Sequence, residues 1–386
     1  MTIDPTLKTL GEDELKNRIA VTVGTRPGIV MFSPIIRELQ RRGADFFVIH
    51  TGQHYSYNMD QAFFDDLELR EPDYKLDTVK TCIYHGEQTA EMLKGIERVL
   101  LEERPRLVLV GGDANTNLAG ALAARKLRVS VGHVEAGERS YDWRMPEEHN
   151  RVMIDHISDV LFVTNEKGRD NLVGESVRGR IIVSGNPIVD AARQNLGIAE
   201  RKSRILDEFG LRRGGYFVLT LHREENVDSR DNLSDALRGV REAAEMTGVP
   251  VQFMAHPRTL KRIREFGLEE LVEAAGDELR MREAIGYLDF LKLVSGAALV
   301  LTDSGGVQQE ACILGVPCVT LRENTEWTET LELGANTLAG TEPRRIVDAV
   351  RGMIGARKGW ETPFGDGKSA ERIVDVALDI SAGDQE

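Results

Sequence analysis

Residues 19–42 read IAVTVGTRPGIVMFSPIIRELQRR. The first five residues of this stretch, 19–23, are apolar or β-branched and predict a short buried strand. Gly24-Thr25-Arg26-Pro27-Gly28 then breaks the run, and Ile35, Ile36 and Leu39 recur at helical spacing within residues 33–42. Strand, glycine turn and amphipathic helix in that order form the unit of a parallel α/β sheet.

Working outward, the same rhythm repeats. Residues 46–50, 107–110, 130–134, 160–164 and 181–183 read as further strands, and residues 89–101 as a helix. After Ser184-Gly185-Asn186-Pro187 the pattern restarts, with strands at 216–220, 251–253, 299–301 and 318–321 and helices at 233–247 and 307–314. The fold class expected is α/β, with two Rossmann-like, doubly wound parallel-sheet domains facing across a cleft. The expected boundaries are 1–187 for an N-terminal α/β domain, 188–365 for a C-terminal α/β domain, and 366–386 for a terminal helix packing back on the first domain. The length of 386 residues suits two cores.

Sixty-three Asp and Glu against 49 Lys and Arg give a formal charge of −14, which repels nucleic acid and acidic membrane surfaces. A small anion remains compatible, because a few local cations and helix N-termini hold a phosphate inside an acidic protein. Three cysteines without a C-x-x-C pair indicate neither a disulfide framework nor a zinc ribbon. With no signal-like start and no apolar run of about 18 residues, the expectation is a cytoplasmic protein without metal or membrane partner.

The candidate site residues fall just after strands. Arg26 lies in the first turn, which reads either as an anion loop or as a plain βα turn. Asp113 follows Gly111-Gly112 and reads either as an acid–base group or as a helix cap, with Asn115 and Thr116 as other caps. Glu135 stands between apolar strand positions and a glycine, where an unpartnered carboxyl is costly, so it reads as functional. Glu147 and Glu148 are acids in a helical first turn, which favours them with or without a function. His222-Arg223 and His256-Pro257-Arg258 follow equivalent strands and suggest a diphosphate or nucleotide site. In Thr302–Glu310, Ser304 and the amides of Gly305 and Gly306 point to a ligand phosphate, with Glu310 one turn on to accept from a ribose. Gly365-Asp366-Gly367-Lys368-Ser369 imitates the end of a P-loop, but lacks the leading glycine and the strand that motif requires.

Taken in chain order, Gly24-Thr25-Arg26-Pro27, Thr51-Gly52-Gln53-His54, Gly112-Asp113, Gly132-His133-Val134-Glu135-Ala136-Gly137, Pro146-Glu147-Glu148 with Asn150-Arg151, His222-Arg223-Glu224 and Asp303-Ser304-Gly305-Gly306 resemble the non-hydrolysing UDP-N-acetylglucosamine 2-epimerases across residues 19 to 373. The resemblance implies the GT-B fold, a homodimer, a role in polysaccharide biosynthesis, and interconversion of UDP-GlcNAc and UDP-ManNAc without cofactor. In that scheme the C2 proton is removed, UDP leaves to give 2-acetamidoglucal, and UDP re-adds with protonation on the other face. Carried over, Asp113, Glu135 and Glu147 are the acid–base candidates, with His222 and Arg151 assisting. Ser304, Gly305, Gly306 and Glu310 hold UDP, with Arg26, His256 and Arg322 nearby, while Gln53 and His54 resemble a regulatory subsite. Many members carry a glutamate and a lysine where this chain has Gly28 and Met31, and a Thr-Glu-Arg-Pro-Glu motif where it has Thr325-Glu326-Trp327-Thr328-Glu329. The alternatives are a hydrolysing 2-epimerase, an epimerase of a modified UDP-sugar, a GT-B glycosyltransferase and a non-catalytic UDP-sugar sensor.

Overall fold

The computed structural model describes residues 8–53, 63–77, 79–273, 276, 278–354 and 359–383. The chain divides into two compact units, residues 1–191 with 364–386 and residues 192–363. The division falls inside the helix Pro187–Lys202, a few residues past the expected boundary.

The first unit is built on seven strands, β1 (Lys16–Val23), β2 (Phe46–His50), β3 (Tyr74–Lys75), β4 (Pro105–Gly111), β5 (Ser130–Ala136), β6 (Val160–Val163) and β7 (Arg180–Val183), in the order β3-β2-β1-β4-β5-β6-β7. All neighbours pair in parallel. The apolar runs follow from that topology, since helices cover both faces of a parallel sheet. Ala20, Phe47, Val108 and Val131 pack on one face with Met92, Ile96 and Ile154.

The first helix begins earlier than the sequence pattern suggests, at Arg26, and runs to Arg42. Thr25 caps it by accepting from the Gly28 amide at 3.2 Å, and Pro27 sits in the first turn, where its missing N–H costs nothing. The preceding Gly24 has a packing reason: a methyl group there would lie 2.1 Å from the Thr51 hydroxyl and 2.2 Å from that of Thr116.

The second unit carries β8 (Phe217–Thr220), β9 (Val251–Ala255), β10 (Leu279–Glu283), β11 (Leu299–Thr302), β12 (Cys318–Thr320) and β13 (Asn336–Leu338), in the order β10-β9-β8-β11-β12-β13. Strands β3, β10 and β13 have no counterpart in the sequence reading. They are short or partly exposed edge strands, and their apolar content is low. Phe217, Leu219, Phe253, Leu299 and Leu301 meet Leu237, Val240 and Ile346 on one side of this sheet. Tyr216, Val218 and Val300 meet Leu293 and Val294 on the other.

The terminal helix Ser369–Ala382 packs on the helix Arg26–Arg42 and on β1 and β4. Its first amides, from Ser369 and Ala370, donate to the buried Asp190 carboxylate at 3.3 and 3.1 Å. The P-loop-like segment therefore ends in a helix N-terminus already filled by a carboxylate. No helix among the described residues is long and apolar enough to cross a membrane.

Candidate active site

The carboxyl ends of β4 and β5 carry the first cluster. Strand β5 pairs with β6 through Val134 and then Ala136, so Glu135 is an extra residue, a bulge. Its φ of +66° lies in the left-handed region that side chains avoid, a conformation costing on the order of 1–3 kcal/mol and concentrated at functional sites. The bulge turns the carboxyl toward Gly112: a methyl placed on that glycine would lie 3.4 Å from both Glu135 Oε2 and the Met31 Cε. Burial first, then the neighbouring charges of Glu138 and Asp113, push the Glu135 carboxyl up to about 8, against a smaller opposing effect of Arg151. At neutral pH it holds its proton.

Asp113 is different, because its carboxylate pairs with Arg151 Nη2. The helix Pro146–Ile157 brings that arginine in, and Arg151 Nη1 also donates to Glu148 at 3.0 Å. Glu148 proves to be a buried structural acid that the sequence reading treats as a first-turn charge. Burial alone raises a carboxyl, yet donors from Ser140, Tyr141 and Arg151 hold Glu148 below its ordinary value. Glu147, one residue earlier, is half-exposed and has no hydrogen-bond partner among the described residues.

Beneath the cluster lies a network absent from the sequence reading. His133 Nδ1 lies 2.6 Å from Asp155 Oδ1, and its Nε2 lies 3.2 Å from the Gly112 carbonyl. Asp155 also accepts from the Gly137 amide at 3.2 Å and pairs with Arg139 at 2.7 Å. These bonds tie the ends of β4 and β5 together. The one available signal was an aspartate on the inner face of an amphipathic helix.

The expected caps Asn115 and Thr116 are corrected by the structure: the N-cap of the helix Asn115–Lys126 is Ala114, which has no capping side chain. Gln53 does that work from a distance, accepting from the Thr116 amide at 2.9 Å and its hydroxyl at 2.8 Å. His54 lies outside the described residues. Arg26 is exposed on the first turn of its helix and has no partner among the described residues.

The second unit carries the other cluster, at the ends of β8, β9 and β11. Asp303 follows β11 directly, is fully buried, and accepts from the backbone amides of His222 and Arg223 and from Asn226. Burial would raise its pKa, but His222 and these amides outweigh it and hold the carboxyl low. The His222 and His256 ring centroids lie 6.1 Å apart. Burial first, then the neighbouring His222 and Arg258, lower the pKa of His256.

Ser304 is the N-cap of the helix Gly305–Ile313 without a capping side-chain bond, and the space around Gly306 is open. Glu310, on the same helix, is pushed up to about 7 by burial, partly offset by a hydrogen bond from Tyr287. Two of the arginines that the sequence offers to a ligand are committed to carboxylates within the unit. Arg258 pairs with Glu224 and Asp228, and Arg322 with Glu225 and Glu326 at 3.1 and 2.9 Å. Where the sequence departs from the Thr-Glu-Arg-Pro-Glu pattern, Trp327 Nε1 donates to the Gly305 carbonyl at 2.9 Å, bracing the same helix start.

The family model for UDP-N-acetylglucosamine 2-epimerase matches residues 37–378. The chain belongs to the UDP-N-acetylglucosamine 2-epimerase family. A relative of that name from Methanocaldococcus jannaschii is 49% identical, over 93% of this chain and 98% of its own. A crystal structure of the M. jannaschii enzyme in complex with UDP-GlcNAc and UDP superposes with a TM-score of 0.80 at 49% identity, covering 93% of this chain and 99% of that one. A Pseudomonas aeruginosa relative named UDP-2,3-diacetamido-2,3-dideoxy-D-glucuronate 2-epimerase is 38% identical over 93% of this chain and 98% of its own. The two parallel sheets and these relatives make the epimerase fold GT-B-like.

Proposed function

We propose that this epimerase-family protein interconverts UDP-GlcNAc and UDP-ManNAc without net hydrolysis. The observation that carries the reading is Glu135, a strained half-buried carboxyl raised to about 8 beside an arginine-paired Asp113. A carboxyl that keeps its proton near neutral pH supplies an acid, and the other carboxyls of the cluster are the candidates for the base. Inversion at C2 needs both, since a proton leaves one face and arrives at the other.

In the elimination, a carboxylate takes the C2 proton, the C1–C2 double bond forms, and the C1–O bond breaks with its electron pair going to UDP. Re-addition reverses each change with the proton delivered to the opposite face. Asp113, Glu135 and Glu147 are the proton-transfer groups in this reading, and Arg151 pairs with Asp113. The departing diphosphate is met by His222, the Ser304 hydroxyl and the amides of Gly305 and Gly306, where a helix N-terminus favours negative charge, the Ser304 amide itself donating to the Thr302 hydroxyl at 2.9 Å. Glu310 accepts from the ribose, with His256 and Arg322 of the same unit nearby, and Arg26 is a further candidate cation of the first unit.

A second reading, a more decorated UDP-amino sugar as substrate, is favoured by the Pseudomonas relative and by Met31 beside Glu135. Work in the cytoplasm, where nucleotide sugars are made, as a homodimer supplying polysaccharide biosynthesis completes the proposal. The exposed Ile83 and Tyr84 give a second copy an apolar contact.

Proton NMR in D2O with UDP-GlcNAc tests the reading. Deuterium at C2 with new UDP-ManNAc signals is expected. Free ManNAc as the main product would instead identify the hydrolysing reaction, and absence of C2 exchange would overturn the proposal for this sugar.

A further inference from the structure

Asp303 is assigned no contact with substrate above, yet it is buried and heavily hydrogen-bonded. Its oxygens accept from His222 N at 3.1 and 3.0 Å, Arg223 N at 2.9 Å and Asn226 Nδ2 at 3.2 Å. Oδ1 also lies 3.0 Å from His222 Nδ1. A carboxylate held ionised by that many donors can only accept. The proton between Asp303 and His222 therefore sits on Nδ1. The ring's other nitrogen, Nε2, has no partner among the described residues, and the side chain is 39% exposed.

We propose that Asp303 is the positioning residue of His222, locking its ring in the Nδ1–H form so that any proton the ring carries to or from a ligand moves at Nε2 alone. The consequence for the reaction rests on the epimerase reading given above. As the C1–O bond breaks and its electron pair passes to UDP, Nε2 is the nitrogen that meets the growing charge on the diphosphate. Among the described residues the ring of His256 lies 6.1 Å from that of His222, while the guanidinium of Arg223, the next residue, lies 3.8 Å from Glu326. Arg258, on the helix that His256 caps, is held by Glu224 and Asp228.

Asp303→Asn breaks the lock in a specific way. The amide oxygen satisfies the backbone amides, and the amide NH2 then faces Nδ1, which can only accept from it. The ring is driven to the Nε2–H form.

The experiment is nitrogen NMR of the labelled full-length protein without substrate, with His222 assigned by its loss in His222→Asn. The parent is expected to show a protonated Nδ1 and Asp303→Asn a protonated Nε2. With UDP-GlcNAc, Asp303→Asn is expected to lose about 10- to 100-fold in kcat with KM changed less than about threefold. Asn226→Ala removes a donor from the same carboxylate without touching the ring. It is expected to lower Tm while leaving the tautomer and kcat at parent values.

A parent ring protonated at Nε2 would overturn the proposal even if Asp303→Asn failed to fold. So would equal losses of kcat in Asp303→Asn and Asn226→Ala, which would make Asp303 a loop prop. The spectrum is read without turnover, so it stands apart from the D2O experiment that tests the epimerase reading.

Discussion

Glu135 and Asp303 occupy similar places, each at the carboxyl end of a parallel strand, and their environments push them in opposite directions. Glu135 sits on a bulge at φ +66° with like charges from Glu138 and Asp113 nearby, and its carboxyl rises to about 8. Asp303 is more deeply buried, yet its pKa falls because His222, Arg223 and Asn226 all donate to it. Burial does not decide the charge of a carboxyl; the number of donors that enter with it does. The first unit keeps a proton available for exchange. The second commits its donors to a buried carboxylate beside a helix N-terminus.

The sharpest break of that contrast is Glu135→Gln. It is expected to cut kcat/KM by about 10²- to 10⁴-fold, as removal of a proton-transfer group does, while calorimetry still detects UDP binding. Loss of UDP binding together with activity would erase the division of labour.

The complementary change is Gly306→Asp, which puts a carboxylate into open space at a helix N-terminus. It is expected to weaken UDP binding about tenfold through repulsion of the diphosphate, with C2 exchange at saturating substrate close to the parent rate. An unchanged affinity would remove this helix from the nucleotide site.

Met31→Lys sharpens the account of Glu135. The Met31 methyl and the Glu135 carboxyl both approach Gly112, so an ammonium there favours the ionised carboxyl. The alkaline-side dependence of kcat/KM is expected to move down by about one pH unit. Glu135 also has a stability signature with a definite sign. Its folded value lies above the ordinary carboxylate value, so the stabilisation is complete below about 4.5 and is lost as pH rises through about 8. Thermal melts between those limits are expected to fall with pH for the parent and to flatten in Glu135→Gln.

The smallest effect belongs to Gln53→Ala. Gln53 caps the helix Asn115–Lys126 through Thr116, so about 1 kcal/mol of stability should be lost, as for other helix caps. Initial rates against UDP-GlcNAc concentration should keep the parent's shape. A change in that shape at unchanged Tm would favour the regulatory role implied by the resemblance.

Much of the fold was legible from residues 19–42 and their repeats, because a strand buried on both faces must be apolar along its whole length. The edge strands β3, β10 and β13 escaped because they lack that burial. Among the site residues, Glu135 was legible as a carboxyl with nothing beside it in sequence to balance it. Arg258 and Arg322 looked available, and only folding supplied the carboxylates that occupy them.

The sequence by itself determined the strands, the glycine turns after them and the order of the motifs, since local pattern and chain order are one-dimensional properties. The tertiary structure alone decided the charge and direction of the groups at the strand ends. Whether Asp155 or Asp303 is a structural acceptor depends on donors distant in sequence that reach within about 3 Å only in the folded chain, and whether Glu135 keeps its proton depends on the burial and the neighbouring carboxylates that folding imposes.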